Sequence, residues 1–442
     1  MQRQNENCDM KVFGKIMVAL GVAVMTMDVM AQTTLADCHK WAGQNYPLLK
    51  RYDLVKAATD YTVANANKGW LPQLSIGAQA TLQSDVMTLP DGLQKMMAQT
   101  GYAPKGLKKD QYKVAIDVSQ TVYDGGYIKA AKQMARAEGD TKARQNDVEM
   151  YAIRDRVNNL FFGILLVEDK LKLNDDLQKL LLDNCRKLEA MVKGGTAMQA
   201  DLDALRAEYL NARQQSTELA SVKESYMRML DIFCGREVDR QLVRPQATIP
   251  NDISTQHPEL MLLDAQKNQL TARSMQLDAS IRPRLSLFAQ GYYGYPGLNM
   301  FEDMFSHNWS LNGMVGVKLN WNIGSLYTHK NDKRKLSVVA SEIDNAKEVF
   351  LFNNRLQSTQ ERLTIERYQK IMADDEDIIR LRTAVRKAAE AKLSHGIIDV
   401  NGLLQEITRE NNARTQQSVH EIEMLKAIYE LEYLLGGRNE KE

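Results

Sequence analysis

The chain repeats itself. Asn45-Tyr46-Pro47 is followed 25 residues after its proline by Pro72, in Trp70-Leu71-Pro72-Gln73-Leu74-Ser75, and Gln256-His257-Pro258 is followed 25 residues after its proline by Pro283, in Ile281-Arg282-Pro283-Arg284-Leu285-Ser286. The far ends of the two halves match as well, because Gly195 precedes Gly235 by 40 residues and Gly396 precedes Gly436 by the same 40. A tandem duplication confines the fold to architectures built from two copies of one unit, so the unit has to be read first.

After its second proline each unit switches to a two-residue period. Leu74, Ile76, Ala78, Ala80 and Leu82 alternate with Gln73, Ser75, Gly77, Gln79 and Thr81, the pattern of a strand with one apolar and one polar face. In the second unit Leu285, Leu287 and Ala289 alternate with Ser286 and Gln290, followed by Tyr292, Tyr293 and Tyr295, and tyrosine at a strand end suits a membrane interface. Each unit offers a partner strand, Val114, Ile116 and Val118 in the first and Val315, Val317 and Leu319 in the second. The connections 84–111 and 295–309 are rich in Gly, Pro and polar groups and read as surface loops.

Long helices follow. From Tyr123-Asp124-Gly125-Gly126 no proline occurs until Pro245, and Gly194-Gly195 divides that stretch into a helix of nearly 70 residues and one of about 40. At about 1.5 Å per residue the first is on the order of 100 Å long. Leu160, Ile164, Val167 and Leu171, then Leu177 and Leu181, form a coiled-coil-like seam. The second unit repeats this from Leu326 to His395 and from Asp399 to Leu435, and helices of this length need partners along their flanks.

Lys11 and Lys15, an apolar stretch from Ile16 to Met27 and the small residues before Gln32 have the order of a secretory signal over residues 1–31. Mean hydropathy is −0.42, which excludes a polytopic helical membrane protein. The formal net charge of +1, with both signs interspersed, offers no field for nucleic acid. Of the four cysteines, Cys8 falls in the signal, and Cys38, Cys185 and Cys234 are too far apart to suggest a disulfide framework or a zinc site. Leu35-Ala36-Asp37-Cys38 imitates a lipidation site, but the acidic Asp37 does not suit one.

Four amphipathic strands cannot close a membrane barrel, which begins at about eight strands and tolerates no open edge in lipid. Subunits would have to share one barrel, of about eight strands in a dimer or twelve in a trimer. The alternative is a small soluble sheet capping a coiled coil, as in a soluble periplasmic coiled-coil adaptor or structural protein.

Asn45-Tyr46-Pro47, the strand entry Leu71-Pro72-Gln73-Leu74-Ser75, the strand exit Tyr123-Asp124-Gly125-Gly126 and the helix breaks at Gly195 and Gly396 together resemble the TolC-type outer-membrane efflux proteins (outer membrane factors), and the resemblance covers nearly the whole mature chain. It implies a mainly α fold with a small β part: a homotrimer whose 12-stranded outer-membrane β-barrel continues into a 12-helix periplasmic α-barrel. The segments are then helical tunnel pieces at 32–71 and 257–282, barrel strands within 72–123 and 283–323, long helical hairpins at 124–235 and 324–436, an equatorial linker at 236–256 and a tail at 437–442. Such a protein is a passive duct of a tripartite efflux or type I secretion system, partnered by a periplasmic adaptor, an inner-membrane transporter and outer-membrane lipid. It has no cofactor.

Paired carboxylates, nucleophile arrangements and phosphate loops at working spacing are not found, so the chain does not read as an enzyme. The six histidines are scattered and read as solvated groups, not metal ligands, and Asp374-Asp375-Glu376-Asp377 reads as a solvated helix face. Thioethers bind soft metals, and Met96-Met97 and Met300, Met304 and Met314 are the candidates, although methionine more often packs. The resemblance places a periplasmic aperture at the helix breaks, with Gly194, Gly195 and Gly396 at the tips facing the adaptor. Asp201, six residues past Gly195, falls on the family's acidic position; in the second unit Gly402 and Gln405 stand where aspartates are usual, with Asp399 nearby. Asp201, Asp399 and Gln405 are therefore the aperture candidates, and the plain reading of Asp201 and Asp399 is that they cap the helices that begin there.

Overall fold

A computed structural model describes residues 33–101, 104, 106–246, 248–250 and 257–437. The signal segment 1–31, part of the linker 236–256 and nearly all of the tail 437–442 lie outside the described residues. Among the described residues fourteen segments follow one another: α1 (Leu35–Asn45), α2 (Leu49–Asn67), a 3-10 turn (Lys68–Trp70), β1 (Gln73–Leu82), α3 (Asp91–Gln99), β2 (Asp110–Tyr123), α4 (Tyr127–Lys193), α5 (Gln199–Cys234), α6 (Pro258–Ser280), β3 (Arg284–Tyr295), α7 (Met300–Asp303), β4 (Ser310–Asn320), α8 (Ser325–Ser394) and α9 (Val400–Leu434). The chain is thus mostly helical with one small antiparallel sheet. Among the described residues no helix is long and apolar enough to cross a membrane.

Two compact units share the chain. One comprises Pro47–Tyr151 and Ile253–Leu356 and contains the sheet. Its four strands pair in chain order, β1-β2-β3-β4, all antiparallel. Asp124 ends β2 and begins α4, its carboxylate accepting the backbone N–H groups of Gly126 at 2.8 Å and Ile128 at 2.6 Å and so satisfying two donors that a helix start leaves free. α2 lies along the first part of α4, where Tyr52 donates to Asp147 at 2.6 Å and Arg51 meets Glu149 at 2.6 Å. His257 is the N-cap of α6, accepting from Glu259 N through Nδ1 at 3.2 Å, and its ring is set between Tyr151 and Phe350 at 5.5 and 4.9 Å. It is buried, against the expectation of a solvated histidine, and burial lowers its pKa.

The connection 84–111 is not featureless. It carries α3, and the buried residues Leu107, Tyr295 and Met304 join it to the 295–309 connection in a small core of their own. Met304 is a packing residue there, while Met300 is exposed.

The other unit comprises, among the described residues, 33–46, 152–246, 248–250 and 357–437. Val157, Phe161, Phe162, Ile164, Leu165 and Val167 of α4 are buried at helical spacing, with Phe162 against Tyr429 of α9 at 5.4 Å. Arg244 of the linker donates to Glu421 at 2.6 Å and to Asp169, and Asp169 also accepts from Ser418 at 2.7 Å, so the linker is tied to both α4 and α9.

Candidate functional site

The sheet is amphipathic across its full width. The register sets Ile76 opposite Ile116, Leu74 opposite Val118 and Ala78 opposite Val114; the next ladder sets Val118 opposite Ala289 and Val114 opposite Tyr293; the last sets Leu287 opposite Val317 and Ala289 opposite Val315. All of these side chains share one face, since facing partners point the same way. That face is uncovered: Ile76 is 71% exposed and Val315 83%. The opposite face carries Ser75, Gln79, Lys113, Asp117, Gln290 and Lys318, and Gln290 links it by accepting from Lys113 Nζ at 3.0 Å and donating to Asp117.

Exposed aromatics mark both ends of the apolar face. Trp309 stacks on Tyr112 at 6.0 Å and meets Tyr293 at 5.4 Å at one end, while Tyr123 and Trp321 are exposed at the other. The strands run 10, 14, 12 and 11 residues, and a tilted membrane-spanning strand needs about 9–11. β1 and β4 each pair on one side only, so the sheet has two open edges within the described chain.

In the other unit the two glycine breaks are built alike. Thr196 N donates to Met191 O at 2.9 Å with Gly195 at φ +72°, and Ile397 N donates to Lys392 O at 2.9 Å with Gly396 at φ +70°. This is a six-to-one helix closure that requires a left-handed residue, which glycine adopts without a Cβ penalty. Gly194 is exposed beside Gly195. Asp201 sits at N3 of α5 and accepts from Met198 N at 3.3 Å; Asp399 is the N-cap of α9 and accepts from Gly402 N at 2.9 Å. Gln405 is exposed on α9, two residues before the buried Ile407. Leu188 of α4, Leu202 and Leu205 of α5, Ala389 of α8 and Val400 and Leu403 of α9 form one core, so both hairpin ends belong to the same packed tip.

Sequence reasoning missed the polar joint behind that tip. Glu410 of α9 is buried and accepts from Thr383 at 2.8 Å, from Arg414 at 2.8 Å and from Arg386 Nε; Arg386 also donates to Glu390 at 2.7 Å, and Asn184 of α4 reaches Glu390 at 3.3 Å. Burial pushes the Glu410 carboxyl up, but the bonds from Arg414, Arg386 and Thr383 outweigh it and hold the group below the usual range. Asp375, expected on a solvated face, is buried and meets His420 Nδ1 at 2.9 Å. No pattern in the sequence marks either joint, because each partner is an ordinary helix-surface residue type.

Among the described residues no group of three or more His, Cys, Asp or Glu side chains is placed to hold a metal. No protein-family model matches the chain, and no curated protein matches it in sequence. Solved structures do. The outer-membrane channel OprN superposes with a TM-score of 0.66 over 91% of this chain and 90% of its own, at 14% identity. The outer membrane protein VceC of Vibrio cholerae gives 0.64 over 91% and 96%, also at 14% identity, and the open state of the Neisseria gonorrhoeae MtrE outer membrane channel gives 0.64 over 91% and 89% at 14%.

The fold is that of the TolC-type outer-membrane channels. In this chain the strand pair and long helical hairpin occur twice, β1-β2 with α4-α5 and β3-β4 with α8-α9, and the sequence periodicities above are their direct imprint. OprN and MtrE are both described as outer-membrane channels.

Proposed function

We propose that the chain is the outer-membrane channel subunit of a tripartite efflux or type I secretion system, a passive duct across periplasm and outer membrane. The observation that carries this reading is the four-stranded sheet with two open edges and an uncovered apolar face bordered by aromatics. Lipid tolerates the apolar face but not the open edges, so the edges must pair with other copies of the chain. Three copies would give a 12-stranded barrel whose polar face, with Lys113, Asp117 and Gln290, lines the lumen, together with a 12-helix tunnel. A periplasmic adaptor would engage the tips at Gly194, Gly195 and Gly396, and an inner-membrane transporter would supply the energy. Asp201, Asp399 and Gln405 would then stand at the periplasmic aperture, where carboxylates repeated by symmetry favour cations.

Fractionation, followed by boiled and unboiled gels and light-scattering mass of the detergent extract, tests the reading. A detergent-requiring trimer in the outer membrane is expected. A monomer that stays soluble without detergent would leave the chain a periplasmic coiled-coil adaptor.

A further inference from the structure

α1 meets the end of α5 around two sulfurs. Cys38 of α1 and Cys234, the last residue of α5, are 196 residues apart in sequence, yet both are buried and the Cys234 Sγ lies 3.9 Å from the Cys38 carbonyl oxygen. Their meeting is fixed by the contacts around them. Leu35, Cys38 and Ala42 form the buried stripe of α1, and the Asn45 amide donates to the carbonyls of Ile232 and Phe233 at 3.0 and 3.2 Å. Tyr46 stacks on Phe233 at 6.2 Å, and the Arg236 guanidinium lies over the Trp41 ring at 4.4 Å. Ahead of α1, Val243 N donates to Thr33 O at 3.0 Å.

Packing does not by itself call for sulfur at this place. The counterpart of Cys234 in the second unit, at the same offset of 201 residues that relates Gly235 to Gly436, is Leu435, which is buried at the end of its own hairpin. The remaining described cysteine, Cys185, belongs to the tip core, whose members include no second cysteine.

We propose that Cys38 and Cys234 are joined by a disulfide in the exported protein, fastening the first helix to the end of α5. The oxidant is a disulfide of the thiol-exchange class found in oxidising compartments. One cysteine thiolate attacks that disulfide and releases one of its sulfurs as a thiol; the second cysteine thiolate attacks the mixed disulfide and releases the other. Two thiol protons and two electrons leave the chain, one S–S bond forms, and the oxidant ends as two thiols. Both sulfurs are buried once α1 has docked, out of reach of a thiol or disulfide in solution. Exchange therefore precedes docking, and the finished bond resists reductant until the fold opens.

The proposal rests on the export reading for its oxidant, and the experiment separates the two. Cells making the full chain are quenched with acid and fractionated. Free thiols of the denatured protein are blocked with N-ethylmaleimide; the protein is then reduced, labelled with iodoacetamide and mapped by peptide mass. Cys185 is expected to carry the first reagent, Cys38 and Cys234 the second, with a Cys38–Cys234 linked peptide that disappears on reduction. In the variant Cys234→Leu, which copies the residue of the second unit, Cys38 should move wholly to the first reagent. Membrane-fraction protein with Cys38 and Cys234 both blocked by the first reagent overturns the disulfide, as does a Cys38 that remains reversibly oxidised in Cys234→Leu. If the protein is found unexported, the export reading fails, and the same mapping after refolding in oxidised glutathione decides the pairing alone.

Discussion

Asp201 and Asp399 serve matching helix starts from opposite ends of the cap: Asp201 reaches back from N3 to the N–H of Met198, and Asp399 reaches forward from the N-cap to the N–H of Gly402. Met198 and Asp399, like Asp201 and Gly402, are related by the repeat offset of 201 residues. The second unit has thus moved its carboxylate three residues toward the break while still satisfying a free donor of the first turn. Each carboxylate has a structural duty whatever it does for ions.

Charge and capping can be separated by asparagine, which accepts the same bond without the charge. The double variant Asp201→Asn, Asp399→Asn is expected to keep the oligomer intact while raising single-channel conductance or lowering cation preference in a planar bilayer. The Ala variants add the loss of a cap, about 1 kcal/mol each. Unchanged conductance and selectivity in the Asn pair would reduce both residues to caps.

The buried joint of Arg386 and Glu410 gives a sharper stability prediction. Glu410→Leu leaves the Arg386 guanidinium buried without its main partner and should cost about 3–5 kcal/mol. Arg386→Met with Glu410→Leu removes both charges and should recover most of that loss, because the desolvation of each ion disappears with it. Thermal unfolding in detergent, followed by circular dichroism and run also on Arg386→Met alone, reads the cycle; a double-variant loss equal to the sum of the two single-variant losses would mean that the pair is not coupled.

Much of this was legible in the sequence because it follows from local rules. The alternation Leu74 to Leu82 became β1, and Gly195 and Gly396 stopped the long helices through the left-handed closure their residue type allows. Long-range pairings left no such trace. Cys38 and Cys234 meet only after α1 docks, Asp375 of α8 is paired with His420 of α9, and Glu410 looks like any surface glutamate until Arg386 of α8 closes on it. Periodicity fixes which way a side chain faces on its own element, but not what comes to stand opposite.

The two faces of the sheet should respond to charge in opposite ways. Ile76→Arg places a guanidinium on the apolar face near the middle of β1, where lipid contact would cost about 2–4 kcal/mol. Gln79→Arg, three residues on and on the polar face, should cost little. The temperature at which the unboiled oligomer band dissociates on a gel is expected to fall for Ile76→Arg and to hold for Gln79→Arg; equal behaviour would remove lipid from the apolar face.

Glu430 of α9 should give the helical unit a pH-dependent stability. Burial, the charge and hydrogen bond of Asp155 on α4 and the charge of Glu361 on α8 push its carboxyl up to about 7, with Lys426 only partly opposing them. An unfolded glutamate titrates near about 4.3, so between the two values the folded protein holds more protons than the unfolded one. Stability contributed by the neutral carboxyl is therefore present at low pH and is lost as pH rises through about 7. Melting temperatures taken from about pH 5 to pH 8 should fall across that window more steeply in the parent than in Glu430→Gln, whose amide cannot ionise but still bonds to Asp155. The variant should be the more stable of the two on the alkaline side. Parallel curves for the two proteins would mean that another group carries the titration.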